Sequence, residues 1–250
     1  MRSSHIGENF MEYNSKHNTR RKKRVVIKLS GSIFSQDANH DSIKKYAEML
    51  CDISNSVQPI VVAGGGEIAR HYINLARNLG SDEANLDIMG IEVSRLNAKL
   101  LIAALGDQAY SQVPKNLEEI SIAVASSKIV IAGGLHPGQS TNATSALIAE
   151  RSKASSFVNA TDVNGIYDSD PNTNSNARLF KEITVNECME ILKVESTMAG
   201  TYDLMDIIAL KVIERSKIPT RVVLLDVGNI RDAVDGKDIG TKIVTIKKQS

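Results

Sequence analysis

The sequence predicts an α/β fold, a three-layer α/β/α sandwich around a mainly parallel central sheet. Three observations carry this. From Val25 onward, short apolar runs alternate with longer amphipathic stretches, the pattern of strands joined by crossover helices. Four of the apolar runs empty into glycine-rich or polar loops, as strands do at the carboxyl edge of a parallel sheet. The chain's 250 residues, free of internal repeats, suffice for one substantial core.

The elements follow in order. Residues 1–23 are polar and run into Arg20-Arg-Lys-Lys-Arg24, so they bury too little apolar surface to offset ordering and are expected to form a mobile basic tail. Residues 24–250 are expected to form a single domain. Its first strand covers residues 25–29. A helix over 41–53 follows, with Ile43, Ala47, Leu50 and Cys51 on one stripe and Asp41 as its N-cap. A strand over 59–63 opens a helix over 67–79. Residues 85–87 read as a turn into a helix over 91–105. Strands are expected at 120–125, 128–132 and 156–160, with a helix over 141–152. Beyond Pro171 come a strand at 179–183, helices at 184–192 and 202–216, a strand at 219–225 and a closing strand at 242–247.

Composition narrows the class of function. A formal net charge of +1 leaves no global preference for nucleic acid or a membrane surface, and no apolar run approaches the about 20 residues that span a bilayer. The basic run before Val25 reads as a solvated tail, because no basic or aromatic platform accompanies it. Cys51 and Cys188 lie far apart in helical patterns without zinc spacing, as in a reducing compartment. With no secretory apolar segment in the first thirty residues, the expected location is the cytoplasm.

The four strand-to-loop junctions carry the chemistry. They are Lys28-Leu-Ser-Gly-Ser32, Gly64-Gly-Gly-Glu-Ile-Ala-Arg70, Gly133-Gly-Leu-His-Pro-Gly-Gln-Ser-Thr141 and Asn159-Ala-Thr-Asp-Val-Asn-Gly-Ile-Tyr-Asp-Ser-Asp-Pro171. Bare glycine backbone lets successive N–H groups converge on phosphate oxygens, helped by a helix N-terminus. Lys28 and Arg70 add positive charge, and Tyr167 with its polar neighbours suits a base and ribose. The segment from Gly64 to Ala69 also fits a dinucleotide fingerprint, but it follows the second strand and lacks an acidic strand end downstream. Neither a Gly-x-x-x-x-Gly-Lys-Ser/Thr loop nor a protein-kinase pattern is present. A phosphotransferase built on this chain must therefore hold its phosphates on several separate glycine loops.

In that arrangement the chain resembles the amino-acid kinase superfamily, and within it the uridylate kinases of archaeal and bacterial type. The resemblance runs from Val25 to about Ile246. It is carried by the four loops together with Leu86-Asp-Ile-Met-Gly-Ile91 and Leu204-Met-Asp-Ile-Ile-Ala-Leu-Lys211. The Asp-x-Met-Gly, His-Pro-Gly and Met-Asp elements are the ones that narrow it to uridylate kinases. It implies transfer of the γ-phosphoryl of ATP to UMP, with Mg²⁺ carried by ATP and no dedicated protein metal site. Lys28 and Asp206 are implied as catalytic residues. ATP is implied to meet Gly31, Ser32, Gly66, Arg70, Thr161, Tyr167 and Asp170. UMP is implied to meet Gly65, Asp87 and the loop Leu135, His136, Pro137, Gly138, Gln139, Ser140 and Thr141. A homo-oligomer, a hexamer, is implied as well, and the apolar surplus of Ile73, Leu75, Leu79, Leu96, Leu100 and Leu101 suits a symmetric partner.

Duller roles stand beside these. Asp87 also reads as a helix N-cap, Tyr167 as a core aromatic and Arg70 as an exposed helix residue. Many relatives carry an acid where this chain has Asn142. Two other functions fit the scaffold: a sister kinase acting on isopentenyl phosphate, carbamate or an amino acid, and a non-catalytic nucleotide-binding or storage protein. Sister kinases for isopentenyl phosphate carry a histidine near the second glycine loop, where this chain has Arg70 followed by His71.

Overall fold

The structure is a computed structural model and describes residues 22–171, 173–195 and 205–246. Most of the basic tail thus lies outside the described residues. The strands are β1 (Lys23–Leu29), β2 (Val57–Ala63), β3 (Val130–Ala132), β4 (Ser156–Thr161), β5 (Glu182–Thr184), β6 (Thr220–Leu224) and β7 (Thr241–Val244). The helices are α1 (His40–Ser54), α2 (Gly66–Asn78), α3 (Glu83–Leu105), α4 (Leu117–Ala125), α5 (Thr141–Ser152), α6 (Val185–Glu195), α7 (Ile207–Ser216) and α8 (Val227–Val234). Short 3-10 turns occupy Gly31–Phe34 and Gly106–Gln108.

Among the described residues the strands form one sheet in the order β3-β2-β1-β4-β6-β7-β5. The pairings from β3 to β6 are parallel, and β7 runs antiparallel to β6. Both faces of β1 are buried, as a central parallel strand requires. Val26 points into a core with Ile60, Val62, Phe157 and helices α4, α5 and α7. Ile27 and Leu29 point the other way, toward α1, α3 and α8. Lys28 alternates with Leu29, so it shares the α5–α7 side with Val26. Cys188 sits in the first of these cores, where burial pushes its thiol up to about 12, and it behaves as a small apolar side chain.

Several expected elements differ. Residues 120–125 form the end of helix α4 instead of a strand: Asn116 accepts from the Glu119 N–H at 2.8 Å and starts a helix that their short apolar run alone did not distinguish from a strand. The turn expected at 85–87 is helical, because Asp82 caps α3 by accepting from the Asn85 N–H at 2.9 Å, so the Asp-x-Met-Gly stretch lies inside α3. Asp87 is therefore not the N-cap. Gly90 lies where α2 crosses α3 closely, and a Cβ there would meet the flexible end of Ile73 at 3.3 Å. Asn39, not Asp41, caps α1, by accepting from Ser42 N at 2.9 Å. The helix expected from 202 begins at Ile207, and residues 202–204 lie outside the described residues. The strand expected at 179–183 is shorter and later, at Glu182–Thr184, after an isolated bridge between Tyr167 and Leu179. Helix α8 went unforeseen; Asp226 caps it by accepting from Gly228 N and Asn229 N.

Candidate active site

The crossovers from β1 through β2 to β3 run to one side of β1, and β4 lies on its other side, so the direction of winding reverses between β1 and β4. Loops leaving the carboxyl ends of those two strands must diverge there and leave a crevice. At its base the Ser30 N–H donates to Ala160 O at 3.0 Å, joining β1 to β4, while the Gly64 N–H donates to Leu29 O at 2.9 Å, joining the end of β2 to β1. The first two glycine loops then press backbone on backbone. A Cβ on Gly31 would lie 2.1 Å from Gly66 N, and one on Gly66 would lie 2.5 Å from Gly31 O. Gly66 also has φ +66°, which disfavours any side chain. This packing brings the Gly31–Ser32 N–H groups beside the N-terminus of α2.

Lys28 is half-buried, in register with Val62 of β2 and Asn159 of β4. On its face lie the N-termini of α5 and α7. Ser140 caps α5, accepting from Ala143 N at 3.0 Å, and Asp206 caps α7, accepting from Ala209 N at 2.9 Å. The Ser140 hydroxyl donates to Asp206 Oδ2, so the two caps are joined. At the end of β4, the Ser32 hydroxyl donates to Asp162 Oδ1 at 2.6 Å and that of Ser30 to Oδ2 at 3.2 Å. Asp162 thus ties the first glycine loop to the fourth. The neighbouring field is negative: burial, then the carboxylates of Asp226 and Asp162, raise the pKa of Tyr46, whose hydroxyl donates to Leu225 O at 3.1 Å.

Thr161 is buried, and its carbonyl accepts from Leu225 N at 2.7 Å. Tyr167 is half-buried, with Asn164 Nδ2 at 3.5 Å from its hydroxyl. The Asp170 carbonyl closes a turn by accepting from Asn174 N at 2.9 Å. Gly165 packs so tightly on Thr241 that a Cβ would lie 2.5 Å from the threonine hydroxyl. The fourth loop is thereby pinned to β7.

The third loop, after β3, lies along α3. Asp87 Oδ2 accepts from the Gly138 N–H at 2.7 Å, and Gly138 has φ +75°. His136, Pro137 and Gly138 are exposed, but Leu135 is buried in the core with its carbonyl held by Arg95 Nη2 at 3.2 Å, so it shapes the loop from within. Gln139, Ser140 and Thr141 are half-buried. Gly65 is half-buried at the start of α2, and Arg70 is exposed one turn further on. Among the described residues no group of three His, Cys, Asp or Glu side chains gathers to hold a metal. Asp162 and Asp206 are instead single carboxylates at the loop edge. That donor set suits Mg²⁺ arriving on phosphates, since this ion keeps several waters and takes only one or two protein carboxylates.

Several contributors escaped the sequence reading. Asp162 lies inside the fourth loop, yet nothing in its spacing distinguishes it from Asp168 or Asp170. Asn97 donates from the interior of α3 to Gly64 O at 2.8 Å, and Ser94 accepts from Gly134 N at 2.8 Å. Buried polar residues on a core-facing helix stripe were the available signal.

The model of the amino acid kinase family matches residues 23–224. The chain belongs to that family. Among its curated relatives, a protein named uridylate kinase from Methanobrevibacter smithii is 41% identical over 223 residues, covering 89% of this chain and 99% of the relative. One of the same name from Methanothermobacter thermautotrophicus is 43% identical over 222 residues, covering 88% and 99%. The crystal structure of uridylate kinase from Archaeoglobus fulgidus superposes with a TM-score of 0.80 at 39% identity, covering 88% of this chain and 99% of that one. The residues matched by the family model take in all four glycine loops.

Proposed function

We propose that this amino acid kinase family member transfers the γ-phosphoryl of ATP to UMP, giving UDP and ADP, a step of pyrimidine nucleotide synthesis. The observation that carries it is the near full-length similarity to proteins named uridylate kinase, 41% and 43% identical. The phosphate of UMP is already an anionic nucleophile, so the reaction needs in-line positioning and charge neutralisation more than a base. Lys28 lies beside the transferred group and offsets charge as it shifts to the leaving phosphate. Gly31, Ser32, Gly66 and Arg70 take the ATP phosphates, and Thr161, Tyr167 and Asp170 frame the adenosine. Gly65, Asp87 and the loop from Leu135 to Thr141 receive UMP. Asp206 orients the site from the cap of α7, and Asp162 holds Ser30 and Ser32 in place. Mg²⁺ bound to ATP supplies further charge neutralisation when present.

The apolar exposure along α2 and α3 supports a homo-oligomer, in our reading a hexamer: Leu75, Leu79, Leu96 and Leu100, with Tyr72, are each about half exposed or more. Leu101, by contrast, is fully buried in the core and Ile73 is half-buried, so these two do not add to that surface. The basic tail, residues 1–23, lies outside that interface and residues 24–250 act as one domain. Among the described residues no helix is long and apolar enough to cross a membrane, in keeping with work in the cytoplasm.

Coupled ADP release over UMP, CMP, dUMP and isopentenyl phosphate tests the assignment. UMP is expected to be turned over fastest. Equal or faster turnover of CMP or isopentenyl phosphate would replace it with the sister-kinase reading.

A further inference from the structure

We infer that Arg95 is a positioning residue for the phosphate acceptor, holding the loop after β3 in the shape that receives it. This rests on the reading of that loop as the acceptor side. Arg95 projects from the middle of α3, and its side chain is only 14% exposed. A guanidinium does not shed its charge on burial, so its donors must be engaged. Its Nε donates to Gly134 O at 3.1 Å and its Nη2 to Leu135 O at 3.2 Å, while Nη1 pairs with Glu92 at 2.7 Å. A longer contact from Nη2 reaches Lys115 O at 3.5 Å.

The two near carbonyls are consecutive, and they immediately precede His136-Pro137-Gly138. A planar fork spans two successive carbonyls; an ammonium, as a point charge, does not fix their spacing. The same stretch is pressed on α3 from within. Ser94 Oγ accepts from Gly134 N, and a Cβ on Gly133 would lie 2.7 Å from Arg95 N. Further up the same helix, Asp87 accepts from Gly138 N. The chain from Gly134 to Gly138 is thus strung between two anchors on one rigid helix. Releasing the Arg95 end lets the loop slide relative to Asp87, which misplaces the acceptor. The loops assigned to ATP are tied by other bonds, those of Asp162 to Ser30 and Ser32, and remain in place.

Steady-state kinetics of Arg95→Met and Arg95→Lys, with UMP and ATP varied separately, test this. Met keeps the length of the stem and removes the donors. Loss of paired charge-assisted hydrogen bonds is expected to raise KM for UMP on the order of 10-fold or more, with KM for ATP changed by less than about 2-fold. Lys is expected to recover only part of the loss. A groove of about 680 Å³ lined by Glu92, Arg95, Lys99 and Lys115 opens beside the guanidinium. Guanidinium ion at sub-denaturing concentration is therefore expected to lower the raised KM for UMP of Arg95→Ala while leaving wild type unchanged. Equal changes in both KM values, or no change in either, would overturn the inference by reducing Arg95 to a brace of the fold. Should Arg95→Met not fold, Arg95→Lys decides by the same split. If wild type phosphorylates another acceptor in place of UMP, the functional reading fails, and the split measured with that acceptor still decides the role of Arg95. If it phosphorylates none, both fall.

Discussion

Lys28 combines a formal charge with a strand position that would otherwise be apolar. Its neighbours on β1, Ile27 and Leu29, are fully buried, and the chain places its ammonium on the face where the α5 and α7 N-termini converge. In the proposed reaction, an ammonium so placed acts on charge that develops during transfer more than on bound UMP. Lys28→Ala is expected to lower turnover on the order of 100-fold or more, with a much smaller change in KM for UMP. Near-normal turnover with only a raised KM would make Lys28 a ground-state ligand. Single glycines matter for a different reason: Gly31 and Gly66 leave no room for a Cβ, so the first two glycine loops share one backbone surface.

Helices α5 and α7 show how elements are held at the site. Each begins at a cap whose side chain also touches the other, through the Ser140 hydroxyl and Asp206 Oδ2. Removing a cap costs about 0.5–2 kcal/mol of stability, and residues in one network do not behave additively. Asp206→Ala and Ser140→Ala are each expected to destabilise within that range, and the double variant by less than the sum, in urea unfolding. Strict additivity would show that the joined caps are not coupled. A loss of turnover in Asp206→Ala well beyond that in Ser140→Ala, measured on folded protein, would separate a direct role at the phosphates from capping. Helix α3 works at the same scale: Asp87, Ser94, Arg95 and Asn97 together seat the second and third glycine loops, though none of them lies on those loops.

Across the whole molecule, the sheet gathers its loops at one carboxyl edge and turns the apolar stripe of α2 and α3 outward. Leu79 is 87% exposed and Leu96 is 57% exposed, the apolar surface that a second copy would cover in the proposed homo-oligomer. Light scattering across micromolar concentrations is expected to give the mass of a homo-oligomer, and Leu96→Glu with Leu100→Glu to shift it toward the monomer. A monomer mass for the wild type would refute the assembly. Loss of the oligomer on deleting residues 1–23 would change only the place of the tail.

Alternation of apolar runs and glycine junctions determined the fold class, the parallel central strands and the loops at the carboxyl edge of the sheet, because those features depend on local backbone freedom and on periods of two and 3.6 residues. Local pattern was ambiguous where a short apolar run served a helix, as at residues 120–125, and where a capping side chain moved a boundary, as at Asp82 and Asn39. Only the tertiary structure decided that Asp162 joins the first loop to the fourth, that Ser140 meets Asp206, and that Arg95 grips Gly134 and Leu135. Each of these pairs joins residues distant along the chain through directional bonds. Such a bond leaves no period in the sequence; it exists only once the sheet has brought both partners to the same edge.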